Sequence, residues 1–344
     1  MGTFWKHDRM IPAVSVSTGS GSPPEYIAVA HATTPFVSTY PWSAGFGTKY
    51  ANPATLPPNA GNGVNYDYAA NTIAVAHTGT PFISVYPWSP GFGAKYANPV
   101  TLPSLTGWSV TWNKAGTVIA VSHSTSPFVS AYPWSAGFGT KYANPATIPT
   151  GQGNSVAFTA SDADIAIAHD TTPFISAYPW TAGFGTKYAN PATLPASSGT
   201  GVAFNLSSAI AVSHDTTPFV SAYPWSAGFG TKYANPATLP AGNPGYAVAF
   251  KPSGTDIAVA HNVTPFVSAY PWSAGFGTKY ANPATLPADI AFDVSFGKYS
   301  SDIAVSNTTT SPYVQAYPWS AGFGTKYANP ATLPTGNGNE VKFG

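Results

Sequence analysis

Every 45 to 47 residues the chain returns to the tripeptide Tyr-Pro-Trp, with tryptophans at Trp42, Trp88, Trp134, Trp180, Trp225, Trp272 and Trp319. Seven units of this length fill nearly the whole chain, so any fold must be built by stacking one supersecondary unit on copies of itself. The segment that follows is nearly invariant. "TPFVSAYPWSAGFGTKYANPATLP" runs from Thr264 to Pro287 and recurs almost letter for letter at Ser126–Pro149 and Thr217–Pro240. The loops after each Leu-Pro differ ("PNAGNG", "SLTG", "AGNPGY"). Duplication alone would leave both regions alike. A packing requirement on the repeated half accounts for the contrast.

The sixth unit shows what each one builds. Val248–Phe250 is a short β run, "KPSG" a turn, and Ile257–His261 a strand that alternates large and small residues. "NVTP" makes a second turn, and Phe266–Tyr270 a third strand ended or bulged by Pro271, which has no N–H to give a neighbour. The Gly-Phe-Gly of 275–277 suits a turn needing positive φ. Lys279-Tyr280 opens a fourth strand that ends near Leu286-Pro287. No helical periodicity intervenes. Short strands at regular spacing, joined by turn residues, predict an all-β chain. The expected fold is a seven-bladed β-propeller with four antiparallel strands per blade. Ile257 and Val259 would face one way and Ala258 and Ala260 the other, so the large face of one blade packs on the small face of the next.

The order of these cues resembles WD40-type repeats. "VAFKPSGTDIAVAH" sits where such repeats carry an inner strand, a turn and a second strand, and Tyr-Pro-Trp sits where the family often has Trp-Asp. The departures are specific: no Asp follows any of the seven tryptophans, and no Gly-His pair opens a blade. The near-identical copies with Tyr-Pro-Trp and Gly-Phe-Gly also resemble propellers of phage and environmental virion type. That resemblance implies a particle component, a decoration or host-attachment protein, located on a virion or other extracellular particle.

Ring closure is expected at the end of the chain. The unit at Ile27 has no β run just upstream, only "STGSGSPPEY", whereas Val341–Phe343 is a spare strand at the other end. Pairing the two closes blade one, and residues 23–344 form the propeller. The rival is Val14–Val16. Residues 1–22 then form a separate arm, whose Phe4 and Trp5 are costly to leave in water and are candidate contacts for a neighbouring subunit or partner.

Composition narrows the function. Only 7% of residues are charged, against a usual ~25%, and the net charge of +1 has no basic run. Nucleic acid is therefore not an expected partner. No apolar run approaches the ~20 residues of a membrane span, no signal-peptide core is seen at the start, and there is no cysteine. His31, His77, His123, His169, His214 and His261 end the second strand of six units, with Asn307 in the seventh. Adjacent sheets lie ~10 Å apart, while zinc needs nitrogens at about 2 Å. These histidines are thus read as structural, bonded to backbone or to the nearby turn, and no metal or cofactor is expected. His169-Asp170 and His214-Asp215 point to opposite faces and make no acid–base pair. Lys49, Lys95, Lys141, Lys187, Lys232, Lys279 and Lys326 are expected to form a ring near one rim, read as stems over aromatic rings with heads in water, with capture of an anionic partner as the alternative. The seven tryptophans are read as inter-blade core. If exposed, they would instead stack on sugars at seven equivalent sites.

No nucleophile elbow, carboxylate pair or phosphate loop is present, and the expectation is a chain that is not an enzyme. Its expected role is structural or interactive, through protein partners or self-assembly. A multivalent carbohydrate-binding lectin and an intracellular WD40-like scaffold are the alternatives. Trp108, in the loop "SLTGWSV", is the candidate exposed anchor for a partner.

Overall fold

The computed structural model describes residues 23–206, 208–242 and 244–344. Among them there is no helix. The strands form seven three-stranded antiparallel sheets, which follow one another as the blades of a propeller. In blade six the inner strand is Gly245–Phe250, the middle strand Asp256–His261 and the outer strand Val267–Pro271. Pro271 ends its strand opposite Asp256.

The blades interlock as the alternation requires. Ala258 and Ala260 of blade six pack against Ile303, Val305, Tyr317 and Trp319 of blade seven. Ala209 and Ala211 of blade five do the same against Ile257, Val259, Tyr270 and Trp272. The seventh seam joins Ala304 and Ala316 to Ile27, Val29, Tyr40 and Trp42, which shuts the ring. Closure uses the last strand of the sequence: Ile27 pairs with Phe343, Val29 with Val341 and His31 with Gly338. The rival Val14–Val16 and the 1–22 arm with Phe4 and Trp5 lie outside the described residues.

The expected fourth strand is corrected. Blades have three strands, because the segment after the Gly-Phe-Gly turn leaves the ladder. In blade six only the Trp272–Phe276 bridge and the bond from Tyr280 N–H to Ala269 O at 2.9 Å hold it to the outer strand. Pro283 and Pro287 supply no N–H with which to continue. The turn itself splits its glycines' roles. Gly275 takes φ +137°, while Gly277 sits where a Cβ would come within 3.1 Å of Pro271.

The irregular segment joins blades to one another. Tyr270 donates its hydroxyl proton to Thr238 O of the preceding rim segment at 2.8 Å. The same bond recurs from Tyr40, Tyr86, Tyr132, Tyr178 and Tyr223. Trp272 packs edge-on against Tyr233 of the previous rim segment and against Phe250 and Phe276 of its own blade. All seven Tyr-Pro-Trp tryptophans are buried, at 1% to 7% exposure. One repeated sequence thus serves every seam, which explains its near-identity. In two seams the acid that opens the middle strand makes a Trp–Asp bond with the next blade. Trp42 Nε1 donates to Asp302 at 2.8 Å and Trp225 Nε1 to Asp164 at 2.9 Å.

Candidate functional site

Most polar groups of the repeat are committed to packing. Each of the six histidines is fully buried, and its Nε2 lies 3.0 Å from a serine hydroxyl of the neighbouring outer strand: Ser38, Ser84, Ser130, Ser176, Ser221 or Ser268. Burial drives these histidines down to about 4. A His–Ser pair at this distance has the geometry of a base and a nucleophile, but no solvent reaches these. Blade seven replaces both members, with Asn307 and Gln315. The rim lysines each donate to an asparagine three residues on, as Lys279 does to Asn282. Among the described residues no cluster of three His, Cys, Asp or Glu could hold a metal.

What remains open is the axis of the ring, lined by the seven inner strands: Gly61–Tyr66, Gly107–Trp112, Gly153–Phe158, Gly199–Asn205, Gly245–Phe250, Ala291–Phe296 and Gly338–Phe343. The fourth position of each is a buried valine that packs into a seam. The second, third and fifth positions differ from blade to blade. The histidine turns and the loops after Leu-Pro share the end where these strands start, the upper face. The turns leading out of the inner strands and the Gly-Phe-Gly turns share the lower face.

The second positions ring the upper mouth as Asn62, Trp108, Asn154, Thr200, Tyr246, Phe292 and Asn339, around a cavity of ≈ 380 Å³ that Gln152 also lines. Asn62, Asn154 and Asn339 donate to the first carbonyl of the next inner strand at 2.8–2.9 Å. This fixes each amide and leaves its oxygen as the remaining acceptor. Gln152 donates to the oxygen of Asn154 at 2.9 Å, while the oxygens of Asn62 and Asn339 receive no donor among the described residues. Tyr246 and Phe292 stack edge to face at 4.5 Å. Trp108 is 37% exposed in this mouth. The sequence places it on the variable face, but its neighbours come one from each blade and no local motif announces them.

Deeper in the channel, a cavity of ≈ 290 Å³ carries the charges Asp293, Glu340 and Lys342. Lys342 lies 2.6 Å from Asp293 and 3.1 Å from Glu340. Glu340 also accepts the Val64 N–H at 2.6 Å, and Asp293 the Val341 N–H at 3.0 Å. Burial, with help from the Asp293 carboxylate and against the pull of Lys342, pushes Glu340 up to about 7. For Lys342 burial works downward, but the two carboxylates outweigh it and hold the ammonium above its ordinary range. Sequence reasoning missed this trio. Its signal was present: in a chain so poor in charge, "DVSF" and "NEVKF" place acids and a lysine inside strands.

No protein-family model and no curated protein matches the chain. Solved structures do match its fold. A protein of Bacteroides uniformis described as a candidate 6-phosphogluconolactonase superposes with a TM-score of 0.67 at 11% identity, covering 93% of this chain and 99% of that one. A Lactobacillus plantarum protein gives 0.69 at 13%, with coverage of 93% and 99%. A functionally unknown protein of Desulfotomaculum acetoxidans gives 0.63 at 10%, with coverage of 91% and 97%. At these identities the likeness shows the fold alone. None of the three descriptions carries a link to a virion. The expectation that the chain is not an enzyme is corrected by the first of them: this architecture is shared with a chain described as an enzyme. The physical reason is visible in the channel. Seven strands from distant parts of the sequence supply one residue each, so a site on the axis leaves no short motif, and a missing motif argues nothing about catalysis.

Proposed function

We infer that the chain is a ligand-binding propeller whose upper mouth holds one small molecule of carbohydrate class on the ring axis. The carrying observation is broken symmetry. Seven near-identical units differ at the inner-strand positions that line the channel, and a ligand without sevenfold symmetry needs such differences. The mouth offers the groups a sugar uses: an exposed indole and two further rings for its apolar face, and fixed amides for its hydroxyls. Its volume lies within the ~300–1,000 Å³ usual for small-molecule sites. The name of the Bacteroides neighbour, which specifies a sugar-derived substrate, agrees in class. A multivalent lectin built on the repeated tryptophans has no platform, since all seven are buried.

Calorimetric titration with a panel of mono- and oligosaccharides tests this. The expected result is one molecule per chain, lost in Trp108→Ala. Binding of no sugar, or seven per chain, would count against it. A second reading, docking of a protein partner on the same face, is favoured by the exposed Leu105, Trp108 and Val263. A virion setting rests on the resemblance of the repeats alone, and co-purification with a particle is its test.

A further inference from the structure

The opposite mouth of the channel is chemically unlike the first. Three lysines gather there, Lys114, Lys251 and Lys298, at the rim of a cavity of ≈ 400 Å³. Lys114 and Lys298 stand where other blades carry Ala160 or Leu206, and Lys251 where they carry Thr159 or Asn205, so none is part of the repeat. Lys298 Nζ lies 3.8 Å from the centre of the Tyr68 ring and 4.9 Å from that of Tyr299. Lys114 Nζ lies 5.5 Å from the same Tyr68 ring. Two ammonium groups are thus held on one exposed tyrosine, an arrangement that brings like charges together.

The acids nearby are tied to backbone N–H groups and do not pair directly with Lys114 or Lys298. Asp67 accepts the N–H groups of Asn71 and Thr72, and Asp162 those of Lys114 and Ala115. Glu25 accepts the backbone N–H groups of Lys298 and Tyr299. These carboxylates are oriented by backbone. Among the described residues neither Lys114 nor Lys298 forms an ion pair, although Lys298 Nζ donates to the Tyr68 carbonyl, and Lys251 has only a 3.8 Å contact with Asp256. Below the lysines the wall turns apolar. Phe158, Phe204 and Phe250 line the cavity and are only half-buried.

We propose that the lower mouth is a second binding site, for a small organic anion that combines an oxyanion with an apolar ring. The oxyanion sits between Lys114 and Lys298, and the ring rests on the half-buried phenylalanines. Cations clustered on aromatic faces with no carboxylate partner gain most from an anion. Apolar walls with few polar groups at the rim are what a compact ligand of this kind needs. The site is independent of the upper mouth, since it uses the turns at the far end of the inner strands.

The probe is phenyl phosphate, titrated into the full chain at low ionic strength, with inorganic phosphate and phenol as its two halves. Phenyl phosphate is expected to bind at least tenfold more tightly than either half and to weaken as salt is raised. The double variant Lys114→Ala/Lys298→Ala should lose at least tenfold in affinity. The single variant Lys114→Ala, at an exposed position that cannot threaten the fold, should weaken binding in the same direction. Lys141→Ala on the outer rim and Trp108→Ala at the upper mouth should change nothing. Phenyl phosphate binding no better than inorganic phosphate, or unaltered binding in both lysine variants, overturns the proposal.

Discussion

The carboxylate of Glu340 reaches across a blade seam and accepts the backbone N–H of Val64 at 2.6 Å. Glu340 belongs to the strand that closes the ring, and Val64 to the blade beside it. On the other side of that strand, Asp293 of blade seven accepts the N–H of Val341 and binds Lys342. The closing strand is therefore clasped to both neighbouring blades. Elsewhere a neutral group does this work with a longer bond, as Ser155 does for Val202 at 3.3 Å.

Glu340→Ala is expected to destabilise by about 1–3 kcal/mol, since it orphans a buried N–H and half-unpairs Lys342. Glu340→Gln keeps an acceptor and should cost less. The two also separate by pH. The folded state holds Glu340 near 7, above its ordinary 4.5, so between those values the unfolded chain ionises first. Over that window the group makes stability fall as pH rises. Urea unfolding at pH 5 and pH 8 should show this slope removed in Glu340→Gln.

Acid should unfold the ring steeply. Each of the six buried histidines is held near 4 by burial, below its ordinary 6.5. The unfolded chain then binds more protons between these values, so stability is full above about 6.5 and is lost as pH falls toward 4. Six protons act in this direction and one, on Glu340, against. Blade seven shows an uncharged solution in Asn307 and Gln315. His261→Asn with Ser268→Gln copies it into blade six and should reduce the proton uptake on acid unfolding by about one, read from the pH dependence of stability.

Much of this was legible in the sequence, for identifiable reasons. The alternation of Ile257, Ala258, Val259 and Ala260 sets both faces of a strand and so the stacking of blades. The spare Val341–Phe343 run pointed to closure because one unit lacked its inner strand. The fourth strand was misread because Lys279-Tyr280 looks like a strand start, while the effect of Pro283 and Pro287 is to take the chain off the ladder. The two mouths and the charged trio stayed hidden because their members are one residue per blade. Only the register between inner strands brings Asn339 beside Asn62, or Lys114 beside Tyr68.

Blade seams offer an internal control. Tyr270 donates to Thr238 O, while the equivalent hydroxyl of Tyr317 is buried with no partner. Tyr270→Phe is expected to cost about 1 kcal/mol and Tyr317→Phe nothing or a slight gain. Equal costs in thermal unfolding would show that the rim bonds do not hold the seams. Trp272→Ala, which empties a seam, should cost about 3–5 kcal/mol.

Closure gives the sharpest test of the architecture. Deleting residues 338–344 leaves the middle strand Glu25–His31 paired on one side only. The buried side chains of Val341 and Phe343 are lost, and with them the edge contact of Phe343 on Trp42 at 5.3 Å. The clasp through Glu340, Lys342 and Asp293 goes as well. Two blade faces and a strand edge are exposed together, which a ring of stacked blades cannot absorb locally. Loss of the near-ultraviolet circular dichroism of the packed tryptophans is the expected outcome. A peptide of residues 338–344 added in trans should restore part of that signal by supplying the missing strand. A truncated chain that melts like the full one would mean that the last strand decorates the ring without closing it.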